Sequence, residues 1–186
     1  MSKRAILPAL MITLLLSACG GAAAVETLEK QRDVLAAAEE ICFTAEVTAS
    51  AGDEVFVCTL RCTSTPEEVT AEVVEPESVA GVKASVKDGE TTLRYEGVQL
   101  SVGDPDAMGP MGAVPLLFRA LTAGHIIRAW TEKAEDGALL AAEVYADDDF
   151  ALTLWFDADT LTPVHASLSE DGTEFLRCEF KDFSYQ

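Results

Sequence analysis

The feature that most constrains the fold is a succession of short segments in which apolar and polar side chains alternate. Residues 41–47 form one such segment, and turn residues such as those at 87–89 stand between others. Successive side chains of a strand point to opposite faces, so this alternation predicts strands that are buried on one face. Short turns rich in Gly and Asp predict that consecutive strands form antiparallel hairpins. We count about nine or ten strands.

Two segments follow helical spacing instead. Residues 25–40 and residues 113–123 each place apolar side chains on one stripe, and Gly124 suits the C-terminal end of the second helix. The stripes consist of Val25, Leu28, Leu35 and Ala38 in the first helix and of Val114, Leu117, Phe118 and Leu121 in the second. Many strands with two helices predict an α+β fold, in which the helices cover one face of a large antiparallel sheet.

The N-terminus has the three parts of a secretory signal. Lys3 and Arg4 precede an apolar stretch at residues 5–16, which is too short to span a bilayer. The stretch ends in Leu-Ser-Ala and then Cys19, which resembles the bacterial lipobox, although ordinary cleavage beside a chance cysteine is the alternative. We predict a signal peptide at 1–18, a lipidated tether at 19–24 with the lipid on Cys19, and one domain at 25–186. A diacylglyceryl group supplies two acyl chains, so the chain should be anchored to the membrane.

The charge of the chain excludes several partners. It carries 13 basic and 32 acidic residues, and the signal peptide removes two of the basic ones, which leaves 11 against 32 and a net charge of −21. Nucleic-acid binding needs a basic face, so we predict no nucleic-acid partner. The same charge disfavours electrostatic docking on anionic lipid, and the lipid on Cys19 would have to hold the protein at the membrane.

Four cysteines remain in the domain, and their pairing is open. Cys58 and Cys62 lie on one strand about 13 Å apart, too far for a disulfide with each other. Both share the face of Phe56 and Leu60, which we interpret as buried. Buried free thiols and one bridge from Cys178 to Cys58 or Cys62 are equally compatible with the pattern. The fourth cysteine, Cys42, alternates with the apolar residues around it. The spacing of the four cysteines is not typical of a zinc site.

The order of these elements resembles a known superfamily. A lipobox, a helix, antiparallel hairpins, a mid-chain helix and a closing meander are similar to the LolA/LolB/RseB superfamily of lipoprotein-carrier-like proteins. Within it, the chain looks closest to the lipid-anchored LolA-like bacterial lipoproteins of the GerS type. The residues that carry the resemblance are 43–47, 87–89, 95–100, 114–121, 155–163 and 180–183.

The resemblance implies a large curved antiparallel sheet, a half-barrel, with the N-terminal and mid-chain helices on its concave face. In such proteins that face can hold acyl chains or a partner's peptide. The implied function is a membrane-anchored extracytoplasmic lipoprotein, a non-enzymatic binding module for a lipid or other apolar ligand. The alternative is a regulatory partner of another exported envelope protein. A chain held by its own lipid would not shuttle freely.

Several apolar residues are candidates for lining a ligand cavity, although an ordinary packed core has the same pattern. Met108 and Met111 lie in a Gly- and Pro-rich stretch, where flexible thioethers could form a mobile lid or simply part of a loop. The other candidates are Phe56, Leu60, Val114, Leu117, Leu121, Leu152, Leu154 and Phe156.

We find no pattern that indicates a metal, a cofactor or a catalytic step. The segments 147–149 and 157–159 contain closely spaced Asp, whose oxygens suit Ca²⁺, yet Asp is also common in hairpin turns. His125 and His165 stand beside no nucleophile motif. We therefore predict a protein that is not an enzyme and that binds no metal or cofactor.

Overall fold

A computed structural model of the chain describes residues 19–51, 54–102, 111–135, 137–146, 151–170 and 173–186. The helices are α1 (Cys19–Ala36) and α2 (Ala113–Thr122), and a 3₁₀ helix spans Glu77–Val79. The strands are β1 (Ile41–Ala51), β2 (Glu54–Ser64), β3 (Glu68–Glu75), β4 (Lys83–Lys87), β5 (Glu90–Tyr95), β6 (Val98–Val102), β7 (His125–Ala134), β8 (Gly137–Tyr145), β9 (Ala151–Asp157), β10 (Pro163–Glu170) and β11 (Thr173–Tyr185).

The strands of the described residues form one open antiparallel sheet in the order β6-β5-β4-β3-β2-β1-β11-β10-β9-β8-β7. Two meanders, β1 to β6 and β7 to β11, meet where β1 pairs with β11. The sheet is curved and does not close, so the α+β half-barrel predicted from the sequence is confirmed. The described residues form 11 strands, where the sequence predicts nine or ten.

The mid-chain helix lies on the concave face because of this topology. Strands β6 and β7 are consecutive in the chain but stand at opposite edges of the sheet. The connection between them must therefore cross one face, and α2 lies on this path. Its apolar stripe is buried, and Ala123 N–H donates to the Arg119 carbonyl at the end of the helix. Helix α1 packs against β7 and against α2.

The first helix differs from its predicted bounds. It begins at Cys19, inside the predicted tether, and it ends at Ala36 rather than at residue 40. Alanine is the best helix former, so the small residues 22–24 continue the helix. At the other end, the backbone N–H groups of Glu39 and Glu40 donate to the Gln186 carbonyl, which ties this segment to the C-terminus. The apolar stripe of α1 is buried at Leu28 and Leu35.

Phenylalanine rings form the centre of the core between the sheet and α2. Phe43 on β1 lies 4.9 Å from the ring of Phe118 on α2 and 4.9 Å from that of Phe180 on β11, measured between centroids. The ring of Phe183 stacks on Phe43 at 6.0 Å. This cluster joins the two meanders to the helix that crosses them.

Candidate functional site

Most of the predicted cavity residues lie together in the packed core. Eight of them are buried, on strands of the concave face, on α2 or just before it. Two voids beside five of them have volumes of about 10 Å³ each, which is at the lower limit for one water molecule. The side chains around these two voids are therefore closely packed. The eight residues are Leu60, Met111, Val114, Leu117, Leu121, Leu152, Leu154 and Phe156.

The other two predicted cavity residues lie apart from this group. Met108 is outside the described residues. Phe56 points to the same face of β2 as Leu60, but its side chain is 47% exposed whereas Leu60 is fully buried. The expectation that this whole face is buried is therefore wrong at Phe56. Strands β1 and β2 extend beyond the part of the sheet that packs against the helices, and Phe56 lies in this extension.

An open apolar cleft lies at the β6 end of the concave face. Its volume is about 390 Å³, and we call it the outer cleft. The register places the side chains of Leu93 and Leu100 side by side, and those of Tyr95 and Val98 beside them. Val98 and Leu100 are 60% and 61% exposed. The cleft is lined by Val82, Leu93, Arg94, Tyr95, Glu96, Val98 and Leu100.

Sequence reasoning did not identify the outer cleft, although part of its signal is in the sequence. Val98, Leu100 and Val102 alternate with Gln99 and Ser101, which predicts an apolar face on β6. That pattern does not show whether a helix covers the face. In the structure, α2 packs against β3, and the inward side chains of Tyr95, Val98 and Leu100 remain exposed.

The four cysteines of the domain are free thiols, one of the two alternatives that the sequence left open. Cys62 and Cys178 are buried, whereas Cys42 and Cys58 are half-buried. Burial raises the pKa of the Cys62 thiol, and it raises the pKa of Cys178 to about 12. Because the thiolate is the nucleophile, these two buried side chains behave as apolar core residues.

The candidate histidine His165 takes part in an aromatic cluster on the convex face. Its ring stacks on Trp155, with centroids 4.3 Å apart. Trp155 and Trp130 stand in register on either side of Ala141, and both indole N–H groups donate to the carboxylate of Glu132, at 3.1 and 2.5 Å. Burial and the nearby Arg177 lower the pKa of His165. The ring therefore favours its neutral form and serves packing. His125 is exposed at the start of β7.

The Asp-rich segment at 157–159 is a turn in which one carboxylate binds the backbone. Asp157 Oδ1 accepts hydrogen bonds from the Thr160 N–H at 2.8 Å, the Thr160 hydroxyl at 2.9 Å and the Asp159 N–H at 3.1 Å. These bonds, those from Thr160 first, lower the pKa of Asp157. Among the described residues there is no group of three or more metal-binding side chains. The second Asp segment, 147–149, lies outside them.

The fold and the outer cleft define a class: an open half-barrel with two helices on its concave face and an apolar opening beside them. No family model and no curated protein matches the chain. It is similar to the crystal structure of an uncharacterised conserved protein from Thermus thermophilus, with a TM-score of 0.51 and 10% identity over 87% of this chain and 86% of that one.

Two further solved structures align with lower TM-scores. A LolA superfamily protein from Nitrosomonas europaea aligns with a TM-score of 0.48 and 12% identity, over 88% of this chain and 93% of that one. The lipoprotein LppX from Mycobacterium tuberculosis aligns with a TM-score of 0.47 and 12% identity, over 87% and 94%. At these identities the likeness concerns the fold alone. No helix of the described residues is long and apolar enough to cross a bilayer.

Proposed function

We propose that this protein is a lipid-anchored extracytoplasmic binding module that holds an acyl chain or a similar apolar ligand in the outer cleft. The observation that carries the proposal is an apolar opening of about 390 Å³ on the concave face. Sites for small ligands are concave and mostly apolar and range from about 300 to 1,000 Å³, so the opening has a suitable size. Arg94 and Glu96 at its rim would remain in contact with water or with a polar headgroup.

The exposed side chains of the cleft supply a driving force for such a ligand. Fully burying a Val or Leu side chain is worth about 1.5–3 kcal/mol. Val98 and Leu100 are each about three-fifths exposed, so covering both would contribute about 2–4 kcal/mol before the cost of association. Apart from Arg94 and Glu96 at the rim, the residues that line the cleft are apolar or aromatic, which favours retention of a ligand over a chemical step.

The double substitution Val98→Lys/Leu100→Lys should abolish binding of an acyl chain in the cleft. Two ammonium groups would replace the apolar lining, and burying them under an acyl chain is strongly unfavourable. We expect native mass spectrometry of the full chain, purified in a non-ionic detergent, to show one palmitate adduct per chain. The double variant should lose at least nine-tenths of it.

A matched control lies on the same strand. Gln99→Lys/Ser101→Lys adds the same two charges to β6, but these positions alternate with the lining residues and face away from the cleft. This variant should keep the adduct. A wild-type chain that is free of adduct at millimolar palmitate, or equal loss in both double variants, would contradict the proposal.

Anchoring through Cys19 is the second part of the proposed function. Cys19→Ala should abolish incorporation of a radioactive or clickable fatty acid into the chain and leave an uncleaved precursor. Cys42→Ala is the control, because that thiol lies within the folded domain, 3.7 Å from the Thr63 hydroxyl. The net charge of −21 after removal of the signal peptide disfavours attachment by charge, so the proposed lipid would be what holds the mature chain at the membrane. Unchanged labelling of Cys19→Ala would rule out the anchor.

A further inference from the structure

Strand β2 lies inside the sheet, but at its N-terminal end only one of its two sides is paired with another described strand. Strand β3 pairs with β2 from Ser64 to Thr59 and then departs at Glu75. Within the described part of the chain, no strand pairs with residues 54–58 on that side, although β1 pairs with all of them on the other. Alternate residues of an antiparallel strand direct their N–H and C=O groups away from the paired neighbour. The free β2 edge, residues 54–58, therefore presents unpaired backbone groups.

After Glu54, the side chains of this edge are apolar on both faces of the sheet. Val55, Phe56 and Val57 follow one another and are 63%, 47% and 66% exposed. Proteins usually protect an exposed edge with charges, Pro or a covering loop, because a bare edge recruits other strands. Here three consecutive apolar residues occupy the edge itself. Exposed apolar patches of this kind are typical of surfaces that bind a partner.

A groove runs along the edge where β3 turns away. It has a volume of about 510 Å³ and lies between the end of β3 and the middle of β2. The Glu75 carboxylate accepts a hydrogen bond from the Thr59 hydroxyl at 3.1 Å, which holds this carboxylate over β2. The groove is lined by Val57, Cys58, Thr59, Val74, Glu75, Pro76 and Glu77. A strand added to the edge would occupy the place that β3 leaves.

The charges around the edge define the chemistry of its occupant. Glu54, Glu75 and Glu77 flank it, and the segments 54–60 and 74–80 contain no Lys or Arg. A second copy of this chain would bring the same carboxylates together, and the net charge of −19 adds to that repulsion. A segment with basic residues has the opposite sign and is attracted instead.

We propose that the free β2 edge binds an extended segment of a partner protein in which apolar residues alternate with Lys or Arg. The segment adds a strand to the sheet, a mode in which main-chain hydrogen bonds supply affinity and alternate side chains supply specificity. About five residues are engaged, over roughly 17 Å. Apolar side chains on one face of the added strand contact Phe56, and basic side chains on its other face, beside Val55 and Val57, reach Glu75. This site is separate from the outer cleft and does not depend on lipid binding.

The test uses the full chain in a non-ionic detergent and a fluorescein-labelled nonapeptide in which Val and Lys alternate. Fluorescence anisotropy should show binding of this peptide, and the counterpart with Glu in place of Lys should bind at least tenfold more weakly. A third peptide, methylated at alternate backbone nitrogens, should also bind at least tenfold more weakly because it cannot donate the main-chain hydrogen bonds to β2. Hydrogen exchange of the amides at 55–57 should slow when the first peptide binds.

Two protein variants separate this site from the cleft. Val55→Lys/Val57→Lys should lower the affinity for the Lys peptide at least tenfold, whereas Val98→Lys/Leu100→Lys should change the affinity for this peptide less than twofold. An unchanged thermal midpoint shows that the first variant is folded. Equal binding of the Lys and Glu peptides, undiminished binding to Val55→Lys/Val57→Lys, or no protection at 54–58 overturns the proposal. The proposal is also overturned if the wild-type chain forms a concentration-dependent dimer and the Val55→Lys/Val57→Lys variant stays monomeric, because the occupant of the edge would then be a second copy of this chain.

Discussion

Replacing Phe43 with alanine is expected to lower the free energy of unfolding by about 3–5 kcal/mol. The side chain is 2% exposed and contacts rings from two elements: Phe118 on α2 and both Phe180 and Phe183 on β11. Its removal leaves a cavity where the two meanders and the crossing helix meet. Because all three neighbours are themselves fixed by strand pairing or helix packing, the cavity cannot collapse cheaply, and the cost should lie near the upper end.

Phe56→Ala is the matched control for this measurement. Phe56 is in register with Ala49 on β1, six residues along the strand from Phe43, and points to the same face. Its ring is nearly half exposed, so its removal should cost less than about 1 kcal/mol. Urea denaturation of both variants, monitored by tryptophan fluorescence, gives the two values. Similar losses for Phe43→Ala and Phe56→Ala would show that the phenylalanine cluster is not the centre of the core.

The difference between these two phenylalanines also shows how far the sequence determines the structure. Alternation predicts correctly that Phe43, Phe56 and Leu60 point to one face, since strand periodicity is a local property. Whether a position on that face is buried depends on what lies over it. The cover is α2 and α1, and the path of α2 is set by the connection from β6 to β7, which joins opposite edges of the sheet. No local pattern contains that information.

The same limit applies to the candidate site. The predicted cavity residues are apolar residues on inward faces, and the structure places eight of them where the helices cover the sheet. The outer cleft lies where the cover ends, and Val98 and Leu100 have the same alternating pattern as the buried residues. Sequence patterns therefore identify which side chains point to the concave face. Which of them are buried in the core and which line the outer cleft depends on where α2 packs.

Register explains why the convex aromatic cluster could not be predicted. Trp130 and Glu132 are two residues apart on β7, so a shared face is expected. Trp155 joins them only because β8 places Ala141 between the two indoles, and that small side chain leaves room for both rings. The pairing of β7, β8 and β9 fixes this alignment. A half-buried histidine stacked on Trp155 is a consequence of the same register at β10.

The second large effect is expected at Gly124, between α2 and β7. Its φ angle is not in the left-handed region, so the backbone itself would accept alanine. A Cβ atom there, however, would collide with Cγ1 of Val144 and lie 2.7 Å from the Ala120 carbonyl oxygen. The Gly124 carbonyl also accepts a hydrogen bond from Arg32 of α1 at 3.3 Å, so the loop is held in place and cannot shift freely. Gly124→Ala should therefore lower the free energy of unfolding by about 1–3 kcal/mol, as overpacked sites do.

A double-mutant cycle separates the two contacts. Val144→Ala removes Cγ1, so the double variant Gly124→Ala/Val144→Ala should be more stable than the sum of the two single losses predicts, by at least about 0.5 kcal/mol. The collision with the Ala120 carbonyl remains, which keeps the rescue partial. Gly21→Ala is the control: its new Cβ would lie 3.4 Å from the nearest atom, and it sits within α1, where alanine is favoured over glycine by about 1 kcal/mol. The same substitution should thus stabilise the protein at position 21 and destabilise it at position 124. A coupling near zero in the cycle would assign the whole cost at Gly124 to the backbone of α2.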